Sequence, residues 1–147
     1  MRRVFGTACA VLSAVLLMGA SNGAWLSRVS TKDHQRVSPF AGKPDQFQNA
    51  ASAGAQIFHN ECAKCHGNDA MGLHGRPKLI SDRIAGASDG DLFWMMNNGV
   101  PWRGMPPWNM LPEKQRWQLV AYLRALNSED SHAQSQSNEA GSEGASK

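Results

Sequence analysis

The sequence predicts a small all-α fold, on three observations. Three stretches carry helical start, stop or periodicity signals, and no stretch shows strand alternation or an internal repeat. Residues of globular composition are confined to 49–127, a small unit for a core built from side chains alone. Within that span stands the cluster Cys62-Ala63-Lys64-Cys65-His66, spaced to take a prosthetic group that would supply the missing apolar contact.

Taken in order, the chain of 147 residues opens on Met1-Arg2-Arg3 and an apolar run from Val4 to Ala20. A basic start before an apolar stretch is the layout of an export signal. Gly19, Ala20, Ser21, Gly23 and Ala24 supply small residues for cleavage after Ala20, Ser21 or Ala24, although none makes a clean A-x-A site. Left uncleaved, the stretch continues to Leu26 and approaches the roughly 20 residues that cross a bilayer. Residues 1–24 are therefore expected to be a signal peptide or an N-terminal membrane anchor. Either places the remainder in the periplasm, free or membrane-anchored. Cys9 lies inside the apolar run, too early for lipid acylation, and reads as a small apolar residue there.

Residues 25–48 contain Pro39, Gly42, Pro44 and several Ser and Gln without an apolar period, and read as a linker. The first helix is predicted from about Ala50 to Glu61, rich in Ala, with Ile57 and Phe58 near its end. The second runs from about Ser88, a good N-cap, to Asn98. Asp89 and Asp91 suit its first turn and Gly99 suits its stop. The third starts at Pro112 and Glu113 and ends near Leu126. Its apolar stripe is Trp117, Leu119, Val120, Tyr122, Leu123 and Leu126. Residues 128–147 hold no large apolar side chain and are expected to form a disordered tail.

Charge narrows the partners. The formal charge of +3 falls to +1 without Arg2 and Arg3, and no dense basic stretch is interleaved with aromatics. A nucleic-acid partner is not expected.

The CxxCH cluster carries the chemistry. Two thiols one short turn apart can each add across a vinyl group of haem, forming two thioether bonds. The next residue then delivers an imidazole nitrogen to the iron from one face. Three other readings compete. Zinc needs two further ligands, but Cys9 lies in the export segment, and His59 and His74 form no second pair. A thioredoxin-like pair needs a βαβ context that is missing. A Cys62–Cys65 disulfide leaves His66 unexplained. The cluster is read as attachment of one haem c through Cys62 and Cys65, with His66 as an iron ligand.

Iron held by one histidine has a second axial position to fill. A soft, neutral thioether favours ferrous iron and raises the potential. Met71 is only five residues past His66 and would struggle to reach the opposite face. Met95 and Met96 sit in a predicted helix, where methionine is commonly core filler. Met105 lies in the Gly/Pro-rich loop Gly99-Val100-Pro101-Trp102-Arg103-Gly104-Met105-Pro106-Pro107-Trp108, whose prolines stiffen the chain beside it. Met105 is the preferred ligand and Met110 the runner-up. The alternative is that Met105 only packs at the haem edge, with the iron open or bound by His59 or His74. Arg76 and Arg103, in the loops expected to flank the haem, either pair with a propionate or stay solvated. Trp94, Trp102, Trp108 and Trp117 are read mainly as pocket wall or helix packing, with Trp102 or Trp108 as a docking patch.

With these landmarks in place, residues 50–127 resemble a class I (monohaem) cytochrome c of the bacterial exported type. Gly54 and Phe58 precede Cys62 by eight and four residues, as in that family's first helix, and Leu119 and Tyr122 match their partners on the last helix. Pro77, eleven residues after His66, matches the proline whose carbonyl orients the ligand histidine. Gly104-Met105-Pro106-Pro107-Trp108 is similar to the family's distal methionine loop. The resemblance implies a small cytochrome c fold, three to four helices around one covalently attached haem. It implies His66 and Met105 as metal ligands, and Cys62, Cys65, His66, Pro77 and Met105 as the cofactor site. The expected function is electron transport, not catalysis, between exported redox proteins such as a dehydrogenase, an oxidase or another cytochrome. Two rivals stand beside it: a fixed haem subunit of a dehydrogenase or oxidase complex, and a haem enzyme or gas sensor with an open sixth site.

Overall fold

The computed structural model describes residues 25–143, with side chains as far as Glu129. The export segment expected at 1–24 lies outside the described residues. The described regular structure is helical apart from one bridge pair, Val100 with Met105. A 3-10 turn at Leu26–Arg28 leads to α1 (Thr31–His34) and then α2 (Pro44–Ile57). A π turn at Phe58–Cys62 joins α2 to the short α3 (Ala63–His66). After a loop come α4 (Asp82–Gly86), α5 (Asp89–Asn98), a 3-10 turn at Pro101–Arg103 and α6 (Glu113–Glu143).

The crossing of α2 on α6 sets the frame. Gly54 is the contact point: a Cβ there would lie 2.0 Å from the Gln118 carbonyl oxygen and 3.0 Å from Tyr122 Cβ. Only glycine allows this approach. One turn on, the Phe58 ring leans on Tyr122 with centroids 5.2 Å apart. Phe58, Leu119, Val120 and Leu123 are fully buried at this junction, which is the apolar stripe expected of the last helix.

The smaller helices are tied to α6 by polar side chains. Ser88 and Asp91 form a capping box on α5: the Asp91 amide donates to Ser88 Oγ at 3.1 Å and the Ser88 amide donates to Asp91 Oδ2 at 2.8 Å. Arg124 of α6 bonds Asp89 Oδ1 at 2.8 Å and also donates to the carbonyls of Ile84, Ala85 and Ala87. One guanidinium therefore satisfies the open carbonyl end of α4 and anchors the start of α5. Buried Asn127 donates to Leu79 O at 2.9 Å and accepts from the Ser81 amide at 3.0 Å, pinning residues 79–81 against α6.

Four features differ from expectation. The first helix starts at Pro44 rather than about Ala50, with proline and Asp45 in its first turn, both favourable there. It passes into the π turn before Cys62, so the attachment cluster opens on a widened turn and not a continuous α-helix. Residues 25–48, expected as a linker, carry two short helical turns and the head of α2, and dock on α5 through His34 and Arg36. These turns span three and four residues, too short to show a period in sequence. In the expected disordered tail, the backbone of α6 continues as helix to Glu143. An anchored helix needs no new nucleus to extend, and Ala, Gln, Glu and Ser carry no strong propensity penalty.

Candidate haem site

The segment from Cys62 to Leu79 folds on itself through backbone bonds. The Gly67 amide bonds Ala63 O at 2.9 Å, Gly72 bonds His66 O at 2.7 Å, and Leu73 bonds Cys65 O at 3.1 Å. Leu79 then bonds Ala70 O at 2.8 Å, closing the loop. Gly72 is required here: its φ is +84°, and a Cβ would sit 2.2 Å from Arg76 O. The loop brings the Pro77 carbonyl to 3.0 Å from His66 Nδ1. A carbonyl only accepts, so the bond needs the proton on Nδ1, and Nε2 is the nitrogen this tautomer offers to a metal.

On the other side lies the loop after α5. Gly99 ends the helix with φ +64°, and a Cβ there would lie 2.5 Å from Met105 O. Val100 and Met105 exchange two backbone bonds, 2.9 and 3.2 Å, across the turn Pro101–Arg103. The Trp108 amide bonds Met96 O at 2.8 Å, fastening the far end of the loop to α5. Met105 is thus held from both sides by backbone.

Both walls face one cavity of about 540 Å³. Cys62, Cys65 and His66 line it, as do Pro77 and Met105. Its floor is apolar, with Phe58, Leu119 and Leu123 from the helix crossing and Ile84 from α4. The size falls within the roughly 300–1,000 Å³ of cofactor pockets. Cys62 and Cys65 are both free thiols, not a disulfide. Burial pushes the Cys62 thiol up to about 11, and the charges of Glu61 and Cys65 push the same way. It therefore stays neutral at pH 7 and brings no charge into the apolar cavity. Among the described residues no three His, Cys, Asp or Glu side chains gather as a separate metal site would need. The donor set fits a haem: two free thiols, one imidazole nitrogen and one thioether line the same cavity, among apolar side chains.

The other candidates separate cleanly. Met71 and Met110 are exposed and lie outside the cavity lining. His59 is exposed beside Asn68, and His74 is exposed with φ +49°; neither lines the cavity. Met95 and Met96, read from sequence as core filler, are buried and also form cavity wall. Arg76 and Arg103 both line the cavity, and Arg76 Nη1 donates to Arg103 O at 2.8 Å, linking the two walls. Trp108 is half-buried cavity wall. Trp117 stacks on Phe93 with centroids 4.1 Å apart, and Trp102 is 43 % exposed. Trp25 is a wall residue that the sequence reading missed. It stands in a stretch without an apolar period, and no local signal marks it.

Residues 49–123 match the family described as cytochrome C oxidase, cbb3-type, subunit III. The chain is 35 % identical over 100 residues to the cbb3-type cytochrome c oxidase subunit FixP of Sinorhizobium medicae, covering 61 % of this chain and 35 % of that protein. It is 32 % identical over 100 residues to the FixP subunit of Rhizobium meliloti, with the same coverage of each. A 46-residue stretch is 39 % identical to the CcoP subunit of Cereibacter sphaeroides, covering 31 % of this chain and 16 % of that one. The chain spans about a third or less of the length of these relatives.

Proposed function

The chain belongs to the cbb3-type cytochrome c oxidase subunit III family, a class I c-type cytochrome domain that takes haem c, and on that premise we propose an exported electron-transfer protein. Cys62 and Cys65 would hold one haem by thioethers, and His66 and Met105 would supply its iron ligands. The observation that carries this reading is that both thiols, His66 and Met105 line one and the same cavity. When bound, the haem supplies a ferrous/ferric couple that moves one electron at a time. The chain's own residues keep the surroundings alike in both states. Pro77 O fixes the imidazole, the Val100–Met105 bonds fix the thioether, and Phe58, Leu119 and Leu123 exclude water. With His66 and Met105 both serving as iron ligands, the chain would leave no open position for a substrate, and catalysis would belong to a partner.

The haem unit spans 49–127, on the periplasmic side of the membrane, free after cleavage within 1–24 or held by that segment. The described residues include no helix long and apolar enough to cross a membrane. Its partners are redox proteins: a dehydrogenase, an oxidase or another cytochrome. A second reading, a fixed haem subunit of an oxidase complex, is favoured by one observation: the relatives are themselves named as oxidase subunits.

Intact mass of the protein from its native membrane tests attachment, and its company during purification separates the two readings. The expected mass is the polypeptide plus one haem, surviving acid and organic solvent. A mass equal to the bare polypeptide overturns covalent attachment. Recovery with oxidase subunits identifies a fixed subunit; recovery alone identifies a carrier.

A further inference from the structure

Trp25 is 6 % exposed and lines the haem cavity, although it lies 24 residues before the family-matched segment begins. It is not an isolated contact. Three residues on, the Arg28 guanidinium sits 4.0 Å from the ring centroid of Trp102, in the loop that carries Met105. Residues 33–36 then run along α5. A Cβ on buried Gly90 would lie 1.9 Å from Asp33 O, so the backbone of this strap touches the helix directly. Ser88 Oγ donates to His34 O at 2.7 Å, and His34 Nδ1 lies 2.9 Å from Asp91 Oδ1. Arg36 lies over the Phe93 ring at 4.2 Å and pairs with Glu113 at 2.9 Å. A passive linker would leave its tryptophan in water and its backbone free.

We infer that residues 25–36 form a strap that closes the haem site through Trp25, a cofactor-contact side chain beside the Met105 loop. This rests on the His66/Met105 reading for the identity of the occupant. The strap acts in two ways. Trp25 covers apolar surface that water would otherwise reach. Arg28 on Trp102 keeps the Met105 loop from swinging away from the iron.

The test uses the full-length holoprotein and imidazole as the entering ligand, since imidazole reaches ferric iron only when the Met105 loop opens. Trp25→Ala should speed imidazole binding by about tenfold, the factor set by a loss of about 1.4 kcal/mol of closure. Arg28→Ala, at an exposed residue, should speed it less, and Trp25→Phe should restore a rate near wild type. The midpoint potential of Trp25→Ala should fall, because water nearer the haem favours the charged ferric state. Should Trp25→Ala not mature, Trp25→Leu and Arg28→Ala carry the same comparison. Wild-type binding rates and potential in these variants overturn the inference. In wild type, the far-red band of Met-ligated ferric haem reports the ligand set and the variant-to-wild-type rate ratio reports the strap, so the two readings fail in different signals.

Discussion

The two walls of the cavity are built on opposite plans. The Cys62–Leu79 wall is mostly local: its bonded amides reach carbonyls of the same stretch, and its key distance, His66 Nδ1 to Pro77 O at 3.0 Å, spans eleven residues. Within the Met105 wall, the Val100–Met105 pair is joined by short turn bonds from Arg103 N to Val100 O and from Gly104 N to Pro101 O. The rest of its support arrives from elsewhere: the Met96 carbonyl in α5, Arg76 from the opposite wall, and Arg28 from the strap. A wall closed on itself opens only when the domain unfolds. A wall held by separate distant contacts can open alone, at lower cost. The thioether side is therefore where ligand exchange begins, and the imidazole side is where the cofactor stays anchored.

The largest break in this comparison comes from Gly99→Ala. The new Cβ meets Met105 O at 2.5 Å in a backbone with φ +64°, so the loop must shift. The expected cost is about 1–3 kcal/mol, or roughly 5–15 °C in Tm. The far-red band of Met-ligated ferric haem should disappear while the haem stays attached. Visible spectroscopy beside thermal unfolding checks both, and a variant that keeps the band would show that the loop is not held at Gly99.

Asn127→Ala attacks the other wall from below. It strands the Leu79 carbonyl and the Ser81 amide, worth about 1–3 kcal/mol. The self-contained plan predicts lower Tm with an unchanged ferric spectrum and potential. A spectrum that loses histidine ligation would show that this wall depends on α6 after all.

A smaller effect is expected at Asp91. Burial alone would raise its carboxyl, but bonds from the His34 ring, the Ser88 amide and the Ser88 hydroxyl outweigh it and hold the carboxyl below the usual range. A carboxyl depressed in the folded state stabilises above its unfolded value of about 3.9 and loses that contribution as pH falls through the folded value. Asp91→Ala should cost about 0.5–2 kcal/mol at pH 7, as for a lost N-cap partner. Denaturant titrations of both proteins should show this gap steady down to about pH 5 and closing below about pH 4. A gap that widens in acid contradicts the assignment.

The same contrast explains what the sequence made legible. The local wall could be read nearly whole, because CxxCH and Pro77 act at short fixed spacing. The α2–α6 crossing could also be read, since Gly54 and Phe58 mark a face that matches Leu119 and Tyr122. Ser88, Gly99 and Pro112 set helix ends through backbone chemistry that each carries alone. Arg124 and Asn127 could not be foreseen: each bonds carbonyls more than thirty residues away, and a single polar residue on a helix gives no sign of that. Trp25 was hidden for the same reason. Its turn is too short for a period, and it is buried in a core cluster with residues far along the chain, Phe58, Met95 and Leu123 among them. The extension of α6 to Glu143 escaped because hydrophobic pattern, not propensity, guided the expected end.

The central claim is that His66 and Met105 hold one iron between two unlike walls. The ferric visible spectrum of Met105→Ala, recorded beside wild type and Met110→Ala, tests it most directly. Wild type and Met110→Ala should both show the far-red band of thioether ligation, because Met110 is 69 % exposed and outside the cavity lining. Met105→Ala should lack the band while keeping its covalent haem. A band that persists in Met105→Ala, or vanishes in Met110→Ala, contradicts the account.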